Sequence, residues 1–224
     1  MFKEVTNIYR YICNDKEILD IYRDIVNYED DTGGWAYHGL DHIFNVIGIM
    51  ENILNELGFS EDFIIKAKIA GFLHDVGAIL GKEGHAIRSY EYAKKYFEKN
   101  NILFEDMDLV LEAIREHSGG FDVDNMIARV LILADKLDVK RNRITSAGRE
   151  VIGNRQFYHI EDIYIKISNK IMNIYFIADK YINIKELNEF YFVKKIFRAI
   201  ESFANSVNLE YNIYMNDNKW IIND

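Results

Sequence analysis

Histidines and carboxylates that follow apolar runs are the residues of this sequence best suited to chemistry. His74 and Asp75 come directly after the apolar residues 69–73, and Asp135 comes directly after the apolar residues 130–134. An imidazole or a carboxylate at a buried helix end is unfavourable unless a partner or a cation satisfies it. Aspartate and histidine together form the mixed oxygen and nitrogen ligand set that binds divalent transition metals. A carboxylate also has two oxygens and can therefore bridge two cations.

Three further histidines extend this set, and each has an alternative interpretation. His42 lies between Ile43 and Val46 on a predicted helix, where a core histidine bonded to a carbonyl is the alternative. That alternative leaves the other candidate ligands unexplained, so we interpret His42 as a ligand. For His85, which follows a glycine, the alternative to a ligand is the first residue of a helix. For His117, at a helix C-terminus, the alternative is a favourable interaction with the helix dipole, which holds whether or not it binds a metal.

Two histidines stand apart from the candidate ligands. His38 lies four residues before His42, so the two share a face if the helix has already begun. An acid that faces the substrate and a polar residue at a helix N-terminus are equally good interpretations of His38. His159 has no partner motif, and we interpret it as a surface or structural residue.

The order of the candidate ligands, H…HD…H…H…D from His42 to Asp135, resembles the signature of the HD-domain metal-dependent phosphohydrolases. The resemblance covers roughly residues 35–145, and the sequence FLHDVG at residues 72–77 is its most specific part. It implies a mainly α-helical bundle with a metal centre inside it.

Finer resemblances concern the number of metals and the substrate. His85 and His117 match the subset of the family that holds two metal ions. The order is also similar to that of bacterial HD hydrolases acting on dinucleoside tetraphosphates, which continue past the last aspartate as Lys136 and Arg141 do here. Residues 37–42 resemble the start of the cyclic-nucleotide phosphodiesterase motif, whose first histidine is a proton donor and whose second is a ligand.

Two positions depart from the family patterns. Ala78 occupies the place of the lysine that often follows HD-Ile-Gly, which counts against the cyclic-di-GMP branch. Gly39 occupies the place where the phosphodiesterases usually have asparagine, which weakens the proton-donor role of His38.

The resemblance implies a site with two divalent cations, iron, manganese or a similar metal, with magnesium also admitted. Asp75 would bridge the two ions and be catalytic. One ion is held by His42, His74 and Asp135, and the other by His85 and His117. Such ions lower the pKa of a water, orient a phosphate and neutralise the charge of the leaving oxygen.

The same resemblance implies roles for residues around the metals. His38 would protonate the leaving group, while Lys136 and Arg141 would bind the non-reacting phosphates of a small phosphorylated substrate, a nucleotide or dinucleoside polyphosphate. The residues themselves indicate only a phosphate ester or anhydride. The alternative function is a catalytically silent sensor that binds a metal or a nucleotide and leaves the active role to the C-terminal part of the chain.

Six basic residues lie nearest the motifs, and they are Lys82, Arg88, Lys136, Lys140, Arg141 and Arg143. A local group of cations is able to bind phosphate even in a chain of negative net charge, and arginine suits bidentate oxyanion binding. We interpret Lys140 and Arg143 as a solvated face of the last helix of the body.

Apolar spacing predicts the elements that position these residues. It predicts helices at residues 17–28, 38–57, 61–75, 86–99, 105–117 and 123–141, with a loop at 77–84. Near residue 156 the pattern changes to alternation, which predicts strands at 162–167 and 171–177, an amphipathic helix at 184–207 and a third strand at 209–215. We therefore predict a helical domain at residues 1–155 and a small α+β element at 156–224.

Composition limits the classes of function. The chain has 224 residues, 49% of them hydrophobic, so it can bury a core, and its formal net charge of −9 argues against binding nucleic acid or an anionic membrane. Its one cysteine, Cys13, excludes a disulfide framework. No apolar run approaches a membrane span, and residues 1–16 lack the pattern of a signal peptide. We expect a cytoplasmic protein that acts alone or as a homodimer.

Overall fold

The described part of the chain is mainly helical and carries one small sheet, which confirms the predicted fold class. A computed structural model describes residues 4–222. Within them, no helix is long and apolar enough to cross a membrane.

Seven helices form the N-terminal body. They are α1 (Val5–Cys13), α2 (Lys16–Thr32), α3 (Leu40–Glu56), α4 (Glu61–Leu73), α5 (His85–Lys99), α6 (Met107–Glu116) and α7 (Met126–Leu137). Short 3-10 helices follow α4 at Val76–Leu80 and α7 at Arg141–Arg143, and α8 (Ser146–Arg149) and a 3-10 helix at Asn154–His159 lead out of the body.

Helix α4 is the centre of the body. The Ser60 side chain caps its start by accepting a hydrogen bond from the Phe63 amide. The helix packs against α1, α3, α6 and α7, and from Ile64 to Leu73 nearly every residue is buried. A helix that is apolar all round belongs inside a bundle, so the end of α4 delivers His74 and Asp75 to the interior.

The C-terminal part is a four-stranded sheet with two helices. The strands are β1 (Ile160–Ser168), β2 (Ile171–Ala178), β3 (Glu210–Met215) and β4 (Asn218–Lys219), and the helices are α9 (Ile184–Glu189) and α10 (Tyr191–Ser206). The sheet order is β1-β2-β3-β4. Strands β1 and β2 form an antiparallel hairpin, and β3 runs parallel to β2 because α9 and α10 cross over between them.

Several predicted bounds are wrong, since α2 runs to Thr32 and the predicted loop at 77–84 contains the 3-10 helix Val76–Leu80. Three further differences bear on the site and its surroundings. The last body helix ends at Leu137 instead of residue 141, because Asp138 has φ −76° and ψ 82° and leaves the helical region. Helix α3 begins at Leu40, so His38 precedes it instead of lying on it. The helix predicted at 184–207 is two helices, since Phe190 adopts an extended conformation between them.

The core is continuous across the predicted domain boundary. Helix α10 packs against α7, and strand β1 packs against α3. Buried side chains on both sides of residue 155 belong to one hydrophobic cluster. The division at residue 155 therefore stays a prediction about function, while in packing the two parts share a core.

This shared core makes a prediction about stability. Ile200 on α10 is fully buried, so Ile200→Ala should lower the free energy of unfolding by about 2–5 kcal/mol. Because the core is continuous, we expect one denaturant transition that moves as a whole. The control is Ile152→Ala, at a side chain that is 71% exposed, with an effect of about 0.5 kcal/mol or less. Two transitions, only one of them shifted, would show that the tail unfolds independently.

Candidate functional site

The ends of five helices bring six side chains together at one buried point. Helix α3 supplies His42 from its first turn, and α7 supplies Asp135 from its last turn. His74 and His117 are the C-terminal cap residues of α4 and α6, and His85 is the first residue of α5. Asp75 follows His74 directly and lies between the histidines. All six metal ligands predicted from the sequence are thus brought together.

Four histidines have their Nδ1 atoms fixed by an acceptor. Nδ1 of His74 donates to Gly71 O at 2.8 Å, that of His85 to Lys82 O at 2.6 Å, and that of His117 to Ile114 O at 2.7 Å. Nδ1 of His42 donates to Asp138 Oδ2 at 2.8 Å. A carbonyl oxygen only accepts, so a neutral imidazole in this arrangement has its hydrogen on Nδ1 and its lone pair on Nε2.

The four Nε2 atoms surround the carboxylate of Asp75 in two pairs. Oδ2 of Asp75 lies 3.3 Å from Nε2 of His42 and 3.2 Å from that of His74. Oδ1 lies 3.2 Å from Nε2 of His85 and 3.5 Å from that of His117. Asp135 joins the first pair, with its Oδ1 3.3 Å from His42 Nε2. Each oxygen of one carboxylate therefore faces its own pair of imidazoles.

The donor set fits divalent cations. Within residues 4–222, His74 Nε2 and Asp75 Oδ2 are buried and have no hydrogen-bond partner, a costly state for polar atoms without a cation. The Nε2 atoms of His85 and His117 are 2.9 Å apart, and two lone pairs at that distance repel unless a cation lies between them. His42, His74 and Asp135 form one group of potential ligands within 4.8 Å, and His74, Asp75 and His117 form a second.

The electrostatics keep both carboxylates ionised. Burial opposes ionisation of Asp75, yet His74, His117 and His42 together hold the pKa of its carboxyl well below the ordinary value. Burial likewise opposes ionisation of Asp135, while Lys136, His42 and Arg143 hold its pKa well below the ordinary value. Two buried anions are thus available to a cation at neutral pH.

Gly77 explains the glycine of the FLHDVG sequence. A Cβ at this position would lie 2.4 Å from His85 O and 2.5 Å from Ser89 N, so only glycine allows the first turn of α5 to approach so closely. Ser89 Oγ accepts from the Gly77 amide at 2.9 Å, and Arg88 Nε donates to Gly77 O at 2.8 Å. Arg88, one of the six nearby cations, therefore holds the backbone that positions His85.

Asp138 is a functional residue that sequence reasoning missed. Its side chain is fully buried and orients the imidazole of His42, as carboxylates behind metal-binding histidines do. The signal for Asp138 in the sequence was its position three residues after Asp135, because residues three apart near a helix end are neighbours.

Arg143 is placed differently from the prediction. It is only 9% exposed, because the helix ends before it and the chain turns back over the site. Its Nη2 donates to His38 Nε2 at 3.2 Å, and its Nη1 lies 3.5 Å from Asp138 Oδ2. The interpretation of Arg143 as a solvated residue is wrong for this reason.

His38 forms a buried pair with Glu29, a residue that no motif or spacing in the sequence indicates. Nδ1 of His38 is bonded to Glu29 Oε1, and the His38 amide donates to Oε2 at 2.9 Å. Burial raises the pKa of Glu29 to about 7. Burial, Lys82 and Arg143 hold the pKa of His38 well below its ordinary value. The ring is therefore neutral at pH 7.

A cavity of about 270 Å³ adjoins the cluster, and it separates the two predicted phosphate-binding residues. Lys136 lines the cavity, and its Nζ lies 2.5 Å from Asp135 Oδ2. Arg141 does not line it: its Nε donates to Tyr158 O at 2.8 Å, and its Nη2 contacts Asp179 and Glu161. The placement of Arg141 two helical turns beyond Asp135 is wrong, because α7 has already ended.

His159 belongs to the surroundings of Arg141. It is partly buried, and its Nδ1 bonds Asp179 Oδ1 at 3.0 Å, the same carboxylate that Arg141 contacts. This contact fits the structural interpretation of His159.

The two imidazole pairs predict the metal content. Protein reconstituted with Mn²⁺ should bind close to two ions per chain, and His85→Ala should bind close to one because one pair loses a ligand. His42→Ala should also bind about one ion, and the double variant His42→Ala/His85→Ala should bind close to none. Metal would be counted by mass spectrometry on folded protein. His159→Ala is the control, at a histidine outside the cluster, and should keep both ions. Unchanged metal content in both His85→Ala and His117→Ala would leave a single-ion site.

The Asp138 contact makes a second prediction. Asp138→Asn keeps the shape of the side chain but removes the charge behind His42, so Mn²⁺ affinity at that pair should fall about 10–100-fold. Competition with a fluorescent chelator measures this affinity. Asp24→Asn, at an exposed carboxylate on α2, is the control. Equal affinity in Asp138→Asn and the parent protein would remove Asp138 from the site.

Known proteins resemble part of this chain. Ribonuclease Y of Staphylococcus epidermidis is 33% identical over 105 residues, which are 46% of this chain and 18% of that protein. Ribonuclease Y of Streptococcus agalactiae is 33% identical over 99 residues, 42% of this chain and 16% of that protein. The chain thus spans less than a fifth of the length of these relatives.

A solved structure and a family model are also similar to parts of this chain. The crystal structure of a predicted HD superfamily hydrolase from an uncultured Thermotogales bacterium is 24% identical and covers 60% of this chain and 80% of its own, with a TM-score of 0.42. The HD domain family model matches residues 39–140. All six side chains of the cluster lie within the residues that match the HD domain.

Proposed function

We propose that this chain is a metal-dependent phosphohydrolase that cleaves an ester or anhydride bond of a small phosphorylated substrate. One observation carries the proposal: the two oxygens of Asp75 each face a separate pair of imidazole Nε2 atoms. The match of residues 39–140 to the HD domain supports it. The carboxylate of Asp75, with imidazoles on both oxygens, is suited to bridge two cations next to the cavity.

The ligands divide between two positions. His42, His74 and Asp135 would hold one ion, and His85 and His117 the other, with Asp75 between them. Two divalent ions, when bound, supply a water of lowered pKa and neutralise the charge of a phosphate. The chain keeps Asp75 and Asp135 ionised for this purpose and fixes the imidazole rings through their Nδ1 atoms.

Basic side chains make the cavity suitable for a phosphate. Lys82, Lys136 and Arg143 line it together with Asp75 and Asp135. The chain has a net charge of −9, so this concentration of cations is local and directs an anion to one place. Lys136 is adjacent to a ligand and would contact the reacting phosphate. Arg141 would reach a substrate only outside the cavity.

His38 and Glu29 position Arg143. The neutral ring of His38 accepts from Arg143 Nη2 at 3.2 Å, while Glu29 holds the other ring nitrogen. The guanidinium is also held from its other side, since its Nη1 lies 2.8 Å from His42 Nε2 and 3.5 Å from Asp138 Oδ2, so its planar fork has a fixed orientation beside the cluster. The proton-donor role of His38 stays a prediction, and it needs the hydrogen on Nε2.

The alternative functions differ from this proposal in what they need from the cavity. A silent sensor of a metal alone needs no space beside the metal, whereas here a cavity is lined by Asp75 and His85. A silent sensor of a nucleotide would use this cavity without turnover, so hydrolysis separates it from the enzyme. Ribonuclease Y is named for action on RNA, so an RNA substrate is the second alternative. A volume of about 270 Å³ is at the small end of ligand sites, roughly 300–1,000 Å³, which favours a small substrate.

The test is phosphate or product release by Mn²⁺-loaded protein on a panel. The panel contains nucleoside mono- and polyphosphates, a dinucleoside tetraphosphate, bis(p-nitrophenyl) phosphate and a short single-stranded RNA. We expect hydrolysis of a small substrate, and Asp75→Asn should lower kcat by at least about a hundredfold with the fold retained. Asp24→Asn, an exposed carboxylate, is the matched control and should keep full activity.

Two results would contradict the proposal. Metal-loaded protein that hydrolyses no member of the panel supports the sensor. Cleavage of RNA with no turnover of small substrates assigns the site to nucleic acid.

A further inference from the structure

Part of the lining of the cavity beside the His and Asp cluster is aromatic and comes largely from the C-terminal part of the chain. We call the aromatic wall the side chains of Trp35, Phe157, Phe190, Tyr191 and Phe192, all of which line the cavity. Four of them lie beyond residue 155, in a part of the chain that the HD domain match does not include. The cavity thus joins a charged floor to an aromatic wall made by a separate segment.

The wall is held in place by the backbone around it. Gly153 has φ +80°, and a Cβ there would lie 2.6 Å from Phe190 Cβ, so the chain requires glycine for Phe190 to approach. Phe190 interrupts the run from α9 to α10 and turns its ring toward Trp35, with ring centroids 6.5 Å apart. Phe157, which is 1% exposed, lies behind it at 5.9 Å.

Trp35 is fixed from the other side. The Tyr37 amide donates to Arg143 O at 2.8 Å, and Ala36 pairs with Ile144 in an isolated bridge. The backbone beside Trp35 is therefore attached to the segment that carries Arg143 to the metal cluster. The aromatic wall and the phosphate-binding floor are parts of one rigid arrangement.

The two outer rings of the wall remain exposed. Tyr191 is 56% exposed and Trp35 is 44% exposed, although both lie beside rings that are well packed. Exposed aromatic surface that lines a cavity marks a binding site for an apolar or flat group. Lys195 also lines the cavity, with Nζ 5.4 Å from the Tyr191 ring centroid, so positive charge accompanies the aromatic surface.

We propose that Tyr191 and Trp35 bind the base of a mononucleotide whose phosphate lies at the metal cluster. Resting on the proposed function, this assigns substrate selectivity to the C-terminal element. Every base presents a flat π-face, and stacking on aromatic side chains is the usual means of holding one. A base joined through a sugar to phosphate matches a cavity that is lined by both aromatic and charged side chains.

The test compares two ligands that differ only in the base. Adenosine 5′-monophosphate carries it, and ribose 5-phosphate does not. Trp35 provides a direct readout, because the other tryptophan, Trp220, is 4% exposed and packed against Phe176 and Phe197. Fluorescence would be recorded by stopped flow on Mg²⁺-loaded full-length protein, before turnover. We expect quenching by the nucleotide and none by ribose 5-phosphate.

Variants separate stacking from folding. The affinity for ribose 5-phosphate is measured by its competition with the quenching nucleotide. Tyr191→Ala should weaken binding of adenosine 5′-monophosphate about tenfold and leave that of ribose 5-phosphate within about twofold. Tyr191→Phe should keep the affinity for the nucleotide because the ring remains. Tyr181→Ala is the control, at a tyrosine that is 68% exposed and outside the cavity, and should bind like the parent. Equal binding of the two ligands by the parent, or equal losses for both in Tyr191→Ala, would overturn the proposal.

The outcomes also separate this inference from the proposed function. Nucleotide-dependent quenching without hydrolysis of any substrate would support base binding by the aromatic wall and contradict the proposed phosphohydrolase activity. Hydrolysis at equal rates with and without the base, and with no quenching, would support the phosphohydrolase activity and contradict base binding by the aromatic wall.

Discussion

The structure depends on the burial of one carboxylate among imidazoles. Asp75 is 1% exposed, and a charge so deep in a helical bundle is tolerated only with close counter-charges or cations. The imidazoles on both of its oxygens keep its pKa low when the nitrogens that face it carry a proton, and a cation takes the place of that proton when the nitrogens act as ligands. Each of the five helices that meet at this point begins or ends within about one turn of the side chain that it contributes.

One kind of local hydrogen bond orients three of the histidines. His74, His85 and His117 each donate from Nδ1 to the carbonyl three residues earlier. At the ends of α4 and α6 those carbonyls belong to the last helical turn, where backbone acceptors need partners from outside the helix. One hydrogen bond thus satisfies a terminal carbonyl and turns the ring nitrogen with the lone pair toward Asp75. His42 lies inside α3, where backbone acceptors are used, and takes the side chain of Asp138 instead.

Charged and aromatic side chains both line the cavity. The acidic chain concentrates Lys82, Lys136 and Arg143 at the cluster, and the C-terminal part contributes the aromatic wall. Because α10 packs against α7 and β1 against α3, the wall is fixed to the helices that carry His42 and Asp135. One hydrophobic core therefore sets the positions of both the aromatic wall and the candidate metal ligands, so a change in its packing would move both.

The sequence by itself determined the helical class, the change to strands after residue 155 and the identity of the six side chains that meet. These follow from local signals: apolar spacing sets helices and strands, and a polar residue after an apolar run marks a buried helix end. Only the tertiary structure decided the roles of Glu29, Asp138 and Arg143 and the removal of Arg141 from the cavity. His42 and Asp138 are 96 residues apart in sequence, and no local period relates them. A departure from helical dihedrals at Asp138 redirected the basic residues that follow, and such a turn is fixed by the packing around it.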